Sequence, residues 1–509
     1  MKIAVEFTPV QSTEHQNRLR YAFQLFCAVY GHEPILDSMK GNTADLQISY
    51  SSDPYSSDPA RRQDAKVLRL YNGYRLRPLT SPAPQPCSFN KDGRTTVLFY
   101  PPEDSAEADW LAEIFEWTSC AHEYSVRARD PIGRIPFEES VFARYKLDER
   151  IPYAALAMWF LQHAICKLFP NTRERARAPE IGLGHAIVCS HDVDFLDLGY
   201  LSTLFRLSKN SLIALLQESP TLALGTTARA VRFALGGANP LGSVEGLARL
   251  EQASEVTSSF NFIVRHGHRR DANYQIESRD VIALARGLES MGMEIGVHGS
   301  YTSLDTDSGL AEEFAVLQKS GFRPLGGRQH WLRFSLDRLI PAVERAGALF
   351  DTSLGWQNRI GFRAGVCFPF PPYNFAKERP ATFLELPLAV MDQALPAKED
   401  QAFSDVAGLL ATSRTYGWGG ISLLWHPEAF GGGQLPMGIG RTFCDLINHR
   451  SEWKDTWISA GEFVRKVCHR YIEAGLMDRG WGENLINVAG IAQSSVQAQR
   501  RRELHVALP

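Results

Sequence analysis

From Gly184 onward the chain repeats one texture: a short β-rich run ends in polar or glycine residues and is usually followed by a stretch with helical spacing. Seven runs read as strands: AIVCSHDVD, SFNFIV, MEIGVHG, PLGGRQHW, ALFDTSLG, FLELPLAV and GGISLLWH. Strands that alternate with helices pair in parallel, which restricts the fold to an open doubly wound sheet or a closed barrel. Most of these runs end in or beside His, Asp or Arg. In a barrel, such strand ends converge on one face, where active sites are built. The pattern therefore predicts an α/β fold: a distorted (β/α) barrel of about seven parallel strands.

Ahead of it, residues 1–175 alternate short apolar runs (KIAVEF, LQISY, TVLFY) with helical stretches and read as a smaller N-terminal α/β domain. The Arg- and Glu-rich, proline-flanked stretch from Pro170 to Pro179 is the expected linker, and the barrel is expected over 180–480. A long connection, 196–254, carries helical apolar patterns and reads as a helical insert between the first two barrel strands. Residues 481–509 are weakly patterned and read as a tail.

Composition narrows the function classes. The 509 residues, 44% hydrophobic, can build two cores. Lys plus Arg (54) nearly balance Asp plus Glu (57), net charge -3, so no basic field is present to hold nucleic acid. The eight cysteines form no CxxC pair, which argues against a zinc knuckle or a disulfide scaffold. The opening residues lack the apolar core of a secretory signal, and Ile151 to Phe169 is interrupted by Gln162, His163 and Lys167. The expectation is a cytoplasmic protein without a transmembrane segment; its oligomeric state is not legible.

In CSHDVDF, Asp192 and Asp194 lie two apart and point to one face of an extended strand, joined there by Ser190. Taken alone, HDVD could equally begin a helix with Asp194 as its N-cap. His298 ends MEIGVHGSY; Arg328 and His330 share a face in GGRQHW; His426 ends the apolar run LLWH. Each is unremarkable singly, but an acid pair and three imidazoles at the ends of parallel strands make a constellation that packing explains poorly.

With these motifs in this order, the sequence resembles the polysaccharide deacetylase family (the NodB-homology, carbohydrate esterase family 4-like catalytic domain), over roughly Gly184 to Met477. The resemblance implies a distorted barrel around one divalent metal ion, zinc first, with cobalt, nickel or manganese as alternatives. It implies Asp192 as general base, Asp194 and His298 as metal ligands, Arg328 orienting the acid pair, Asp351 steadying the catalytic histidine, and His426 as general acid. It also implies Trp356 and Leu424 lining the substrate pocket. Tyr301 in HGSYT and Tyr274 in RHGHRRDANY are further candidates for substrate contact. The segment GRIPFEESVFARY and the apolar helix after it resemble an uncharacterised domain often found ahead of such catalytic domains.

One departure matters. The family's second motif carries another histidine four residues after the first, where this chain has Thr302. Two protein ligands fall short of the three usual for catalytic zinc. His330 is the candidate replacement, with Thr302, His191 or water as alternatives. The expected function is removal of acetyl groups from an N- or O-acetylated sugar or oligosaccharide in surface polysaccharide metabolism. The alternatives are hydrolysis of a non-sugar amide, or a catalytically silent carbohydrate-binding or scaffold protein.

Overall fold

The computed structural model describes residues 1–8, 12–36, 44–51, 66–71, 73–74, 76–102, 108–172, 184–196, scattered positions within 204–219, then 220–236, 243–431, 437–478 and 480–481. Most of the expected linker, much of the expected insert and nearly all of 481–509 lie outside the described residues. Within the insert, helices span Pro220–Ala234 and Val244–Ala253.

Strands β1 (Lys2–Thr8), β2 (Glu33–Ile35), β3 (Leu46–Ser51) and β4 (Lys66–Tyr71) form a parallel sheet in the order β2, β1, β3, β4. A hairpin follows, β5 (Cys87–Lys91) with β6 (Arg94–Leu98). The helix Thr13–Tyr30 starts where Ser12 Oγ accepts from the His15 amide, and stops at Gly31 in the left-handed region (φ 70°), a conformation cheap only for glycine. Trp110 stacks on Phe160 at 4.8 Å, joining the helices Trp110–Thr118 and Tyr153–Leu168.

The second sheet holds β7 (His185–Val193), β8 (Ser259–Ile263), β9 (Glu294–Gly299), β10 (Gly326–Gln329) and β11 (Phe350–Asp351). After a two-residue hairpin, β12 (Tyr373–Asn374) with β13 (Arg379–Pro380), come β14 (Leu384–Glu385), β15 (Leu388–Met391), β16 (Gly419–Leu424) and β17 (Asp455–Ile458). Its order is β14, β11, β10, β9, β8, β7, β16, β15, with every pair parallel.

All seven expected runs are strands, with two differences. FLELPLAV is not one strand: Leu386 and Pro387 divide it, so β14 pairs with β11 and β15 with β16. Pro387 has no N–H to donate. The two outermost strands of the sheet are thus consecutive in the chain, and the sheet curls until its edges are two residues apart. The second difference is β17, which carries no alternation signal. It pairs with the first half of β7, below the stretch of β7 that pairs with β8.

The two sheets are packed together by buried polar contacts. Arg363 reaches both carboxylate oxygens of Glu123 at 2.8 Å, and Arg18 reaches both of Glu378 at 3.1 and 2.6 Å. Nearer the strand ends, Arg134 Nη1 donates to the Trp331 carbonyl at 2.8 Å, and Arg333 Nε donates to the Ile132 carbonyl. The N-terminal part therefore braces the loop after β10. Among the described residues no helix is long and apolar enough to cross a membrane.

Candidate metal centre and active site

Because the strands are parallel, their C-terminal ends bring distant residues to one mouth. Asp192 arrives on β7 and Asp194 just past it, His298 on β9, His330 just past β10 and His426 just past β16. Asp194 Oδ1, His298 Nε2 and His330 Nδ1 lie 3.0 to 3.3 Å from one another. Ligand atoms about 2.0–2.1 Å from a tetrahedral zinc ion are roughly 3.3 Å apart, so these three occupy one face of such a site.

The ring protons decide what this cluster wants. His298 Nδ1 lies 2.9 Å from the Arg328 carbonyl, and His330 Nε2 lies 2.8 Å from the Arg270 carbonyl. A carbonyl oxygen only accepts, so each ring spends its N–H there and turns a lone pair toward the other ring and toward Asp194. Asp194 Oδ1 is buried without a hydrogen-bond donor among the described residues. Three acceptors converge with nothing to accept from; a cation satisfies all three, and metal-ligating imidazoles usually give their other N–H to a carbonyl or carboxylate, as these two do. Asp194, His298 and His330 can therefore hold a metal ion.

Asp192 is fixed beside this centre. Its Oδ1 accepts from Arg328 Nη1 at 3.0 Å and from Asn261 Nδ2 at 2.9 Å, leaving Oδ2 toward His298 Nε2, 3.6 Å away. Arg328 is itself buried, donating to the Thr352 carbonyl and to the hydroxyls of Ser190 and Ser422. Burial opposes the Asp192 charge, yet Arg328, followed by His298 and His426, keeps its pKa below the ordinary value.

His426 closes the far side, with Nε2 3.8 Å from Asp194 Oδ2. Its carboxylate partner is not Asp351. Asp392 Oδ1 lies 2.8 Å from His426 Nδ1, and Asp392 Oδ2 accepts from the His426 amide at 2.6 Å. The reason is strand order: Asp392 follows β15, the neighbour of β16, whereas β10, β9, β8 and β7 separate Asp351 on β11 from β16. Asp351 instead accepts from the Ser353 amide and lies in register with Glu385 on β14; burial lifts its carboxyl to about 6. Burial works against a charged His426 ring, but Asp392, with Asp194 and Asp192 behind it, raises the imidazole to about 10. Asp392 escaped the sequence reading although it stands immediately after β15, a polar strand ending like the others.

The mouth opens into a pocket of about 400 Å³ whose walls include Asp192, Asp194, His298, His330 and His426 together with Leu424, Arg270, Trp331 and Glu428. The other expected contacts lie elsewhere. Trp356 lines an adjoining hollow with Arg134 and Arg363, its ring under the Arg363 guanidinium. Tyr274 is buried, its hydroxyl donating to the Val193 carbonyl at 2.6 Å and accepting from the Ile263 amide at 2.9 Å, so its hydrogen bonds tie β7 to β8. Tyr301 stacks on His268 and lies beneath Arg270 and Arg333. His191 points to the opposite face of β7, against Glu251.

No family model matches the chain, and no curated protein matches it. Among solved structures it aligns with one described as the crystal structure of Puue allantoinase, at 14% identity and a TM-score of 0.35, covering 58% of this chain and 94% of that one. A likeness at that level assigns neither reaction nor residues.

Proposed function

We propose that the chain is a metal-dependent hydrolase of the polysaccharide deacetylase type, removing acetyl groups from an N- or O-acetylated sugar. The observation that carries this reading is the meeting of Asp194, His298 and His330, lone pairs inward, with an oriented carboxylate on one side and an acid-supported imidazole on the other. Asp194, His298 and His330 would hold a divalent ion, which would supply Lewis acidity toward the acyl carbonyl and a water.

The chain's own groups do the proton work. Asp192, with Oδ1 occupied by Arg328 and Asn261, has Oδ2 to take a proton from the attacking water. His426, tied through Nδ1 to Asp392, has Nε2 to deliver a proton to the departing amine or alcohol. Both act from fixed positions because Arg328 and Asp392 are buried. Leu424, on the pocket wall, suits the acetyl methyl. The polysaccharide deacetylase motifs and the pocket's room for a sugar ring support the substrate class.

The test is acetate release from N- and O-acetylated sugars by protein stripped with a chelator and reloaded with zinc, cobalt, nickel or manganese. Release that requires metal and disappears in His298→Ala supports the proposal. Zinc binding without acetate release from any acetylated sugar removes the deacetylase assignment, and no metal uptake at all leaves the silent binding protein.

A further inference from the structure

Two polar groups in the pocket, Glu428 and Arg270, have no task in that chemistry. Glu428 is 8% exposed and lines the pocket, and neither of its carboxyl oxygens has a hydrogen-bond partner among the described residues. Buried carboxyl groups without donors are costly, and one that also lines a pocket is placed to meet donors from a ligand. It lies on the His426 side, two residues along the chain.

The second is Arg270, on the His330 side. Its carbonyl receives the His330 Nε2 hydrogen, which fixes its backbone against the proposed metal ligand. Its half-buried guanidinium lines the pocket over the rings of Trp331 at 5.0 Å and Tyr301 at 5.7 Å, and no described carboxylate pairs with it. Nearby arginines differ: Arg265 pairs with Glu312, Arg333 with Asp305 and Arg134 with Asp130.

The shelf under Arg270 is itself unusual. Trp331 and Leu332 both adopt left-handed backbone conformations (φ 62° and 49°), which is strained for bulky residues. Arg134 holds the Trp331 carbonyl, and the indole is 37% exposed at the pocket wall.

Resting on the reading of the site as an acetyl-sugar hydrolase, we propose that its substrate is an acidic sugar. Arg270 takes a carboxylate or phosphate substituent while the ring lies on Trp331, and Glu428 accepts from a hydroxyl or N–H at the other end. With a cationic group at the His330 end and an acidic one at the His426 end, such a sugar enters in one orientation only.

The experiment is calorimetric titration of the zinc-loaded full chain with N-acetylglucosamine, N-acetylglucosamine 6-phosphate, N-acetylmuramic acid and inorganic phosphate, with acetate release followed separately. At least one acidic sugar is expected to bind about tenfold or more tightly than N-acetylglucosamine, the worth of one charged hydrogen-bonded pair. The phosphate and carboxylate sugars decide which anion is meant. Arg270→Met should abolish the preference and Arg270→Lys should restore part of it, while Glu428→Gln weakens binding of every sugar. Equal binding of neutral and acidic sugars, or an undiminished preference in Arg270→Met, overturns the inference. So does inorganic phosphate binding as tightly as the sugar phosphate, since ring recognition is then absent. An Arg270-dependent preference without acetate release sinks the hydrolase reading alone. Acetate release indifferent to both the acid group and Arg270 sinks this inference alone.

Discussion

Strand β7 carries a cluster of metal-ligand side chains on each face, and the two clusters differ in what they lack. On the outer face, Cys189 Sγ, His191 Nε2 and Glu251 Oε1 lie 2.8 to 3.8 Å apart, fully buried. There the hydrogen bonds close: His191 Nδ1 donates to the Trp425 carbonyl, Cys189 donates to Glu251 Oε1, Ser258 donates to Oε2, and one proton on either atom closes the contact between His191 Nε2 and Glu251 Oε1. On the inner face, Asp194, His298 and His330 stand as close together, but both ring protons are spent on carbonyls and lone pairs meet. Counting ligand atoms does not separate a metal site from a buried hydrogen-bonded triad; placing each proton does.

The predictions press on this difference, beginning with the largest effect. Asp192→Asn should lower kcat by about 10²–10⁴ while zinc content stays at the wild-type level, since the base is lost but no ligand is. A variant that loses its metal with its activity would place Asp192 among the ligands instead. On the outer face, Glu251→Ala leaves His191 and Ser258 without their shared acceptor and should cost about 3–5 kcal/mol of stability by denaturant unfolding. Its zinc content should not change; a drop in zinc would make the outer cluster a metal site as well.

Asp392→Asn should cost about 10–100-fold in kcat, as loss of a supporting carboxylate usually does, with little change in KM. A larger change in KM than in kcat would mean that Asp392 shapes the pocket and not the His426 proton. The smallest effect concerns Glu313, whose carboxyl receives the Ser300 amide just past His298 and which burial lifts from 4.5 to about 7. A raised folded-state value means that the protonated form is favoured in the native protein. The contribution to stability is then complete below pH 4.5 and lost as pH rises through 7. Glu313→Gln should flatten the pH dependence of Tm across that window, and an unchanged slope would assign it to other groups.

Much of the inner site was legible because parallel strands deliver their ends to one place. Once HDVD, GVHG, GGRQH and LLWH were read as strand ends, their meeting followed from topology, and His330 could be proposed against a missing histidine. Less legible were the features set by pairings across the sheet. Asp351 and Asp392 both stand at strand ends, and only the order of β11, β15 and β16 shows which one reaches His426. Pro387 marks the break in FLELPLAV, but not that its halves join opposite edges of the sheet. Tyr274 looked available because a sequence does not reveal that its hydroxyl bridges two backbones. Glu428 gave no signal at all, since a carboxyl without donors is recognised only when the donors around it can be counted.

The central claim is that the inner cluster holds one metal ion through His330 in place of the absent histidine. Elemental analysis of the purified, zinc-loaded protein and of His330→Ala and His191→Ala variants tests it most directly. We predict about one zinc per chain in the wild type, as a single catalytic site requires, retained in His191→Ala and lost in His330→Ala. Zinc retained in His330→Ala, or absent from the wild type after reloading, would contradict it.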